Sequence, residues 1–297
     1  MSIEDGANRI CYAIKKALRS DKGLLVGRLG TVEYEVVSGH ASQAPWKTLE
    51  RNAGIFPCPA EGWRTQYMTA IQAADVLATG WYAPMAAGEQ RLLEELGWKG
   101  EQVKLRSLEP YYVEPVDRWT QLLENQDVCV VSAFSDTIRR QVQKGYAGIW
   151  GPLNGLSLLP SSTRWSFVKT GYAPSLAQGR ATWMEAACLT LRSDEEINSW
   201  EDAVKYMEEA VLATNAKIVL IGCGGMGMIL AERLKRAGKI CIVMGGAIQV
   251  LFGVKGMRWK SHEVISRFWN TEWVWPSIEE TPAGALQVEG ACYWSSR

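Results

Sequence analysis

Residues 217–259 read KIVLIGCGGMGMILAERLKRAGKICIVMGGAIQVLFGVKGMRW. In order this is strand, glycine turn, helix, strand, glycine turn and basic loop. Residues 218–221 form a β-branched and aliphatic run, as a strand buried on both faces does. Gly222, Gly224 and Gly227 fall at G-x-G-x-x-G spacing, with Gly225 added. Residues 228–236 have helical apolar spacing and good helix formers, and Gly238 stops them. Residues 239–244 read as a second buried strand, closed by Gly245-Gly246. Such a strand–turn–helix–strand unit predicts a parallel sheet flanked by helices.

Glycines at such a turn let the backbone leave the strand tightly. They also let a ligand approach the free amides at the helix N-terminus, where the dipole favours an anion, usually a phosphate. A dinucleotide site further wants an acid at the end of the second strand, for a ribose hydroxyl. That strand ends here in Met244-Gly245-Gly246, and no Asp or Glu follows until Glu263. This counts against an ordinary NAD site. A close strand–helix packing turn without a ligand fits the same glycines.

Working outward, residues 26–37 (VGRLGTVEYEVV) repeat the arrangement. A short strand at 23–26 turns through Gly27-Arg28-Leu29-Gly30, and Thr31 is a plausible N-cap for the helix that follows. Residues 127–132 (DVCVVS) form a third buried strand, and Ala133, Phe134, Ser135 and Asp136 turn it into a helix over 137–144. Further strands are predicted at 75–79, 103–105 and 165–168. Further helices are predicted at 3–19, 61–74, 88–96, 116–124, 183–191 and 199–213. Residues 40–59 read as loop with at most a short helix around 46–51, residues 151–162 read as loop, and 264–268 is ambiguous. The whole is α/β: a Rossmann-like, mainly parallel sheet flanked by helices. Residues 1–275 read as one domain, with a mostly irregular tail over 276–297.

In a parallel sheet the three turns at 27–30, 132–136 and 222–227 share one rim, the side on which open α/β sheets bind ligands. Gly245-Gly246 adds a fourth turn. The charges nearby are Arg28, Glu33, Glu35, Asp136, Lys255 and Arg258. Amides and cations suit phosphates; a carboxylate could act as a base or hold a divalent metal. Each charge taken alone is better explained by a solvated surface or a helix-terminus interaction.

Composition narrows the classes. Lys plus Arg equals Asp plus Glu at 32 each, so no global field favours nucleic acid or an anionic membrane. The seven cysteines are scattered and never in C-x-x-C, which predicts reduced, mostly buried thiols and a cytoplasmic compartment. Only two histidines, His40 and His262, argue against a His-based metal or triad site. No run reaches the roughly 18 apolar residues of a membrane span. Fourteen tryptophans is a high count; exposed ones could stack on sugars or bases, while packing accounts for most.

Three segments in this order resemble glycosyltransferases of the GT-D fold type: 26–37, 109–142 (EPYYVEPVDRWTQLLENQDVCVVSAFSDTIRRQV) and 222–259. Together they span most of the chain. The resemblance implies transfer of a sugar from a nucleotide sugar, a UDP-sugar foremost, to a saccharide or glycoconjugate hydroxyl. It implies Arg28, Glu33 and Asp136 as the chemical residues. It implies nucleotide-sugar contacts from Gly30, Thr31, Ser132, Phe134, Gly222, Gly224, Gly225, Gly227, Gly245, Gly246, Lys255 and Arg258. The family's first motif commonly reads Arg-aromatic-Gly-Asp-Gly-Glu, with its D-x-E pair tied to metal and diphosphate. Here it reads Arg28-Leu29-Gly30-Thr31-Val32-Glu33. Glu33 matches, but Thr31 replaces the Asp. A hydroxyl is a poor ligand for Mn²⁺ or Mg²⁺, so Glu33 is the one candidate ligand left at this motif. Two alternatives stay open. VLIGCGGMG also resembles the first motif of S-adenosylmethionine methyltransferases, although it comes late in the chain for that class. A non-catalytic nucleotide- or sugar-binding module is the other.

Overall fold

A computed structural model describes residues 1–39, 44–150, 158–178 and 197–295. The predicted helix at 183–191, most of the loop at 151–162, His40 and Cys188 lie outside the described residues. Seven strands make one sheet: β1 (Leu24–Arg28), β2 (Val76–Thr79), β3 (Glu101–Lys104), β4 (Asp127–Ser132), β5 (Arg164–Lys169), β6 (Ile218–Gly222) and β7 (Ile240–Val243). Their order is β3-β2-β1-β7-β6-β4-β5, and every pairing between neighbours is parallel.

Alternation along the strands sends side chains to two cores. Leu25, Leu77, Cys129, Val219 and Cys241 face one, whereas Leu24, Val76, Val128, Ile218 and Ile240 face the other. Helices cover both faces, as an all-parallel sheet requires. On the first side lie α2 (Thr31–Ser38), α3 (Trp46–Ala53), α4 (Glu61–Ala73), α5 (Ala83–Glu95), α9 (Trp200–Leu212) and α10 (Gly227–Arg236). On the second lie α1 (Ile3–Ser20), α6 (Leu105–Leu108), α7 (Ser135–Lys144), α8 (Pro174–Ala177) and α11 (Ala247–Leu251). The expected cysteine state holds among the described residues: Cys11, Cys129, Cys223, Cys241 and Cys292 are free and buried, and Cys58 is free and half-buried.

Two local readings are corrected. Residues 116–124, expected as a helix, form the short 3-10 turns Pro115–Asp117 and Trp119–Leu123. Side-chain donors here hold the chain in a compact turn instead. Arg118 Nε donates to the carbonyls of Pro110 (3.0 Å) and Val113 (2.9 Å), and Trp119 Nε1 to that of Leu108 (2.9 Å). The helix expected at 88–96 begins five residues earlier, at Ala83, with Pro84 in its first turn. The segment after 275 has short turns at Ile278–Glu280 and Ala285–Gln287. It is nonetheless well packed: Val288, Cys292 and Trp294 are buried in the second core.

Candidate functional site

The carboxyl ends of all seven strands open into one cleft of about 670 Å³. β1 contributes Arg28 and Gly30, β2 Trp81 and Tyr82, β3 Arg106, β4 Phe134, β5 Tyr172, β6 Gly222 and Gly224, and β7 Gly245 and Gly246. The strand order reverses between β1 and β7: β1 leads outward to β2, whereas β7 arrives from β6. Such switch points are where open α/β sheets hold ligands. Arg28 ends β1 there, with Nη1 only 3.8 Å from where a β-carbon on Gly245 would stand. Among the described residues Arg28 makes no ion pair. Its guanidinium lies 4.8 Å from the ring centroid of Trp81, and Trp81 Nε1 donates to the Leu29 carbonyl at 3.3 Å.

Glu33 stands in the first turn of α2, whose N-cap Gly30 offers no side chain to the open amides. The Glu33 carboxylate folds back over Gly30, so closely that a β-carbon there would lie 2.0 Å from Oε2. A side chain at residue 30 would displace the end of this carboxylate. Burial raises the Glu33 carboxyl above the usual glutamate range, against the opposing pull of its own amide and of Arg28. Tyr67 of α4 is buried beside it, its phenol pushed well above the ordinary value by burial and by the Glu33 charge. Deeper still, buried Glu89 of α5 accepts from the Gly80 amide at 2.9 Å; its carboxyl too is raised by burial.

On the β3 side Arg106 pairs with buried Glu109 and lies 4.3 Å over the Tyr112 ring. The Tyr112 hydroxyl is 3.5 Å from His262 Nε2, and His262 Nδ1 accepts from the Val264 amide at 3.2 Å. Burial, and then Arg106, lower the imidazole pKa and favour its neutral form. Across the cleft Arg258 binds Glu289 (2.7 Å) and the Tyr293 hydroxyl (2.9 Å), which ties the basic loop to the C-terminal segment.

Ten expected residues line this cleft: Arg28, Gly30, Thr31, Glu33, Phe134, Gly222, Gly224, Gly245, Gly246 and Arg258. Five others are not in its lining. Asp136 is ion-paired with Lys169 (2.7 Å) and Arg139 (3.2 Å). Ser132 is buried and accepts the Phe134 amide at 3.1 Å. Lys255 lies over Trp269, 5.5 Å from the ring centroid. Gly225 packs against Ile55 and Gly227 against Val243 and Ile221.

The turn after β6 is therefore shaped by packing throughout. Gly224, at φ +60°, would set a β-carbon 2.4 Å from the Ala53 carbonyl oxygen; one on Gly222 would lie 2.7 Å from Ile248. The turn after β4 already holds an anion of the protein's own. Glu280, fully buried, accepts the amides of Asp136 (2.8 Å) and Thr137 (3.2 Å) at the N-terminus of α7 and pairs with the Thr137 hydroxyl. At the other helix mouths expected to take phosphate, before Thr31, Gly227 and Ala247, the N-cap residue makes no side-chain capping bond; the one before Thr31 stands beside Arg28.

Several cleft residues escaped the sequence reading. Trp81 and Arg106 follow β2 and β3 directly and could have been found by the rim rule applied to Arg28. Glu289, Tyr293 and Trp294 reach the cleft by a long-range fold-back that carries no local signal.

Among the described residues no three His, Cys, Asp or Glu side chains are grouped to hold a metal ion. Glu33 is the only carboxylate of the Arg28–Glu33 motif, so the donor set does not fit a divalent cation.

No family model matches the chain, and no curated protein does. Two solved structures are similar. One is described as a domain of unknown function 1792 with a distinct glycosyltransferase fold; it is 12% identical over 82% of each chain, with a TM-score of 0.41. The other is a selenomethionine form of domain of unknown function 1792, 12% identical over 83% of each chain, with a TM-score of 0.40. Likenesses this loose add no weight; the fold class stands on the all-parallel strand order.

Proposed function

We propose that the cleft binds a nucleotide sugar, a UDP-sugar foremost, and transfers its sugar to a hydroxyl of a saccharide or glycoconjugate. The observation that carries this reading is Arg28: a cation without an ion-pair partner among the described residues, at the switch point, beside the N-terminus of α2, whose N-cap Gly30 supplies no side chain. That is a seat for a diphosphate. In the reaction the acceptor oxygen attacks the anomeric carbon, and the bond from that carbon to the diphosphate oxygen breaks. The bonding pair leaves with the diphosphate, where Arg28 and the α2 amides stabilise the growing charge. The acceptor proton passes to the Glu33 carboxylate. A carboxyl raised above the usual range is the stronger base for this. Asp136, held by Lys169 and Arg139, would support the β4 turn rather than touch substrate. A cytoplasmic setting belongs to the same proposal; among the described residues no helix is long and apolar enough to cross a membrane.

Titration calorimetry and thermal shift with UDP, GDP and TDP species, with and without Mn²⁺, test this reading. Binding of none of them overturns it. A screen for released nucleoside diphosphate across common nucleotide sugars then identifies the donor. Binding of S-adenosylhomocysteine alone would favour methyl transfer. Nucleotide-sugar binding without turnover would favour a binding module.

A further inference from the structure

Most of the tryptophans do pack inside the protein. Among the described ones Trp81 is the single exception with more than a third of its surface open, at 38%. It is not a loose side chain. Its indole N–H is held by the Leu29 carbonyl, and Arg28 covers one ring face. Its turn is fixed from below, where buried Glu89 takes the Gly80 amide and Gly80 adopts φ +70°. Tyr82, 46% exposed, stands beside it with ring centroids 5.7 Å apart. Both rings line the cleft. An apolar ring held rigid and left open in a charged cleft is pre-organised for a stacking partner.

We propose that Trp81, flanked by Tyr82, is the platform on which a pyranose ring stacks. The inference rests on the nucleotide-sugar reading of the same cleft and deepens it. The C–H face of a pyranose is apolar and weakly positive, and it complements the negative face of an indole. Position favours a sugar over a nucleobase. Arg28 touches both the ring of Trp81 and the proposed diphosphate seat. A donor sugar is bonded directly to the diphosphate, whereas a base is held off by the ribose. An acceptor sugar meets the donor at the same carbon, so the ring on Trp81 comes from one or the other.

The test compares wild type, Trp81→Ala and Trp81→Phe. Calorimetry uses UDP, UDP-glucose and UDP-N-acetylglucosamine. Saturation-transfer NMR uses the methyl glycosides of the same sugars. If the donor ring stacks, Trp81→Ala weakens the nucleotide sugars by about tenfold or more and UDP little, with Trp81→Phe between. If the acceptor ring stacks, nucleotide affinities hold and the glycoside ring protons lose saturation in Trp81→Ala. Equal weakening of UDP and UDP-sugars, or glycoside saturation indifferent to Trp81, overturns the platform. So does a wild type that neither saturates a glycoside nor prefers UDP-sugars to UDP. Trp81-dependent glycoside binding without any nucleotide binding would keep the platform and reject the nucleotide-sugar donor. Trp81→Phe keeps an aromatic face, so the comparison survives if Trp81→Ala folds poorly.

Discussion

Arg28 and Glu33 are five residues apart, but they are brought together by different constraints: one ends a strand, the other begins a helix. Arg28→Ala removes a charged donor from a partly exposed site. We expect nucleotide affinity to fall about 10- to 100-fold by calorimetry, with the melting temperature nearly unchanged. Glu33→Gln should lower turnover by roughly 10²–10⁴-fold. Because the Glu33 carboxyl is raised, the wild-type rate should fall with acid already above the ordinary glutamate pKa of about 4.3, and Glu33→Gln should lose that limb. Glu89 allows a sign test on stability. Its folded pKa lies above its unfolded one, so between the two the folded chain binds more protons and stability falls as pH rises. Glu89→Gln keeps an oxygen for the Gly80 amide and removes this penalty. Its melting temperature relative to wild type should therefore rise from pH 4 to pH 8; a difference that shrinks over that range would refute the assignment.

At the scale of elements, the α7 N-terminus and the β6 turn carry the clearest consequences. Glu280→Ala leaves buried amides of Asp136 and Thr137 without their acceptor, and should cost about 1–3 kcal/mol in urea unfolding. Gly224→Ala adds both a left-handed residue and a clash with the Ala53 carbonyl. Gly97, at φ +62° with nothing within 4 Å of a β-carbon, isolates the first effect. Gly97→Ala should cost roughly 1–2 kcal/mol and Gly224→Ala clearly more. These two elements also mark what was legible beforehand. The inner strands were visible because a buried parallel strand must be an apolar run, and the rim turns because a tight exit needs small residues; the edge strands β3 (EQVK) and β5 (RWSFVK) are more polar and more exposed. Which turn faces a ligand was not visible. That depends on Ala53 and Glu280, partners 171 and 144 residues from Gly224 and Asp136 respectively in one count of the chain. Trp81 and Arg106 were within reach of the rim rule; Tyr293 was not, since no local pattern announces a tail that folds back.

For the whole molecule, the segment after residue 275 is part of the folded unit through Glu280, Trp294 and the Arg258–Glu289 pair. Ending the chain before Ser277 should lower stability by more than Glu280→Ala alone, because Val288, Cys292 and Trp294 leave the core as well. Urea transitions followed by tryptophan fluorescence and by circular dichroism give the comparison. The strand order has a further consequence during synthesis. β1 to β3 form one ribbon and β4 with β5 another, and neither ribbon pairs with the other directly. β6 and β7, made last, are the two central strands that join them, with Leu24 opposite Ile240. Until about the last quarter of the chain is made, the inner edges of β1 and β4 therefore have no native strand to pair with. The cleft, whose floor is the seam at β1 and β7, comes into being only with that final insertion.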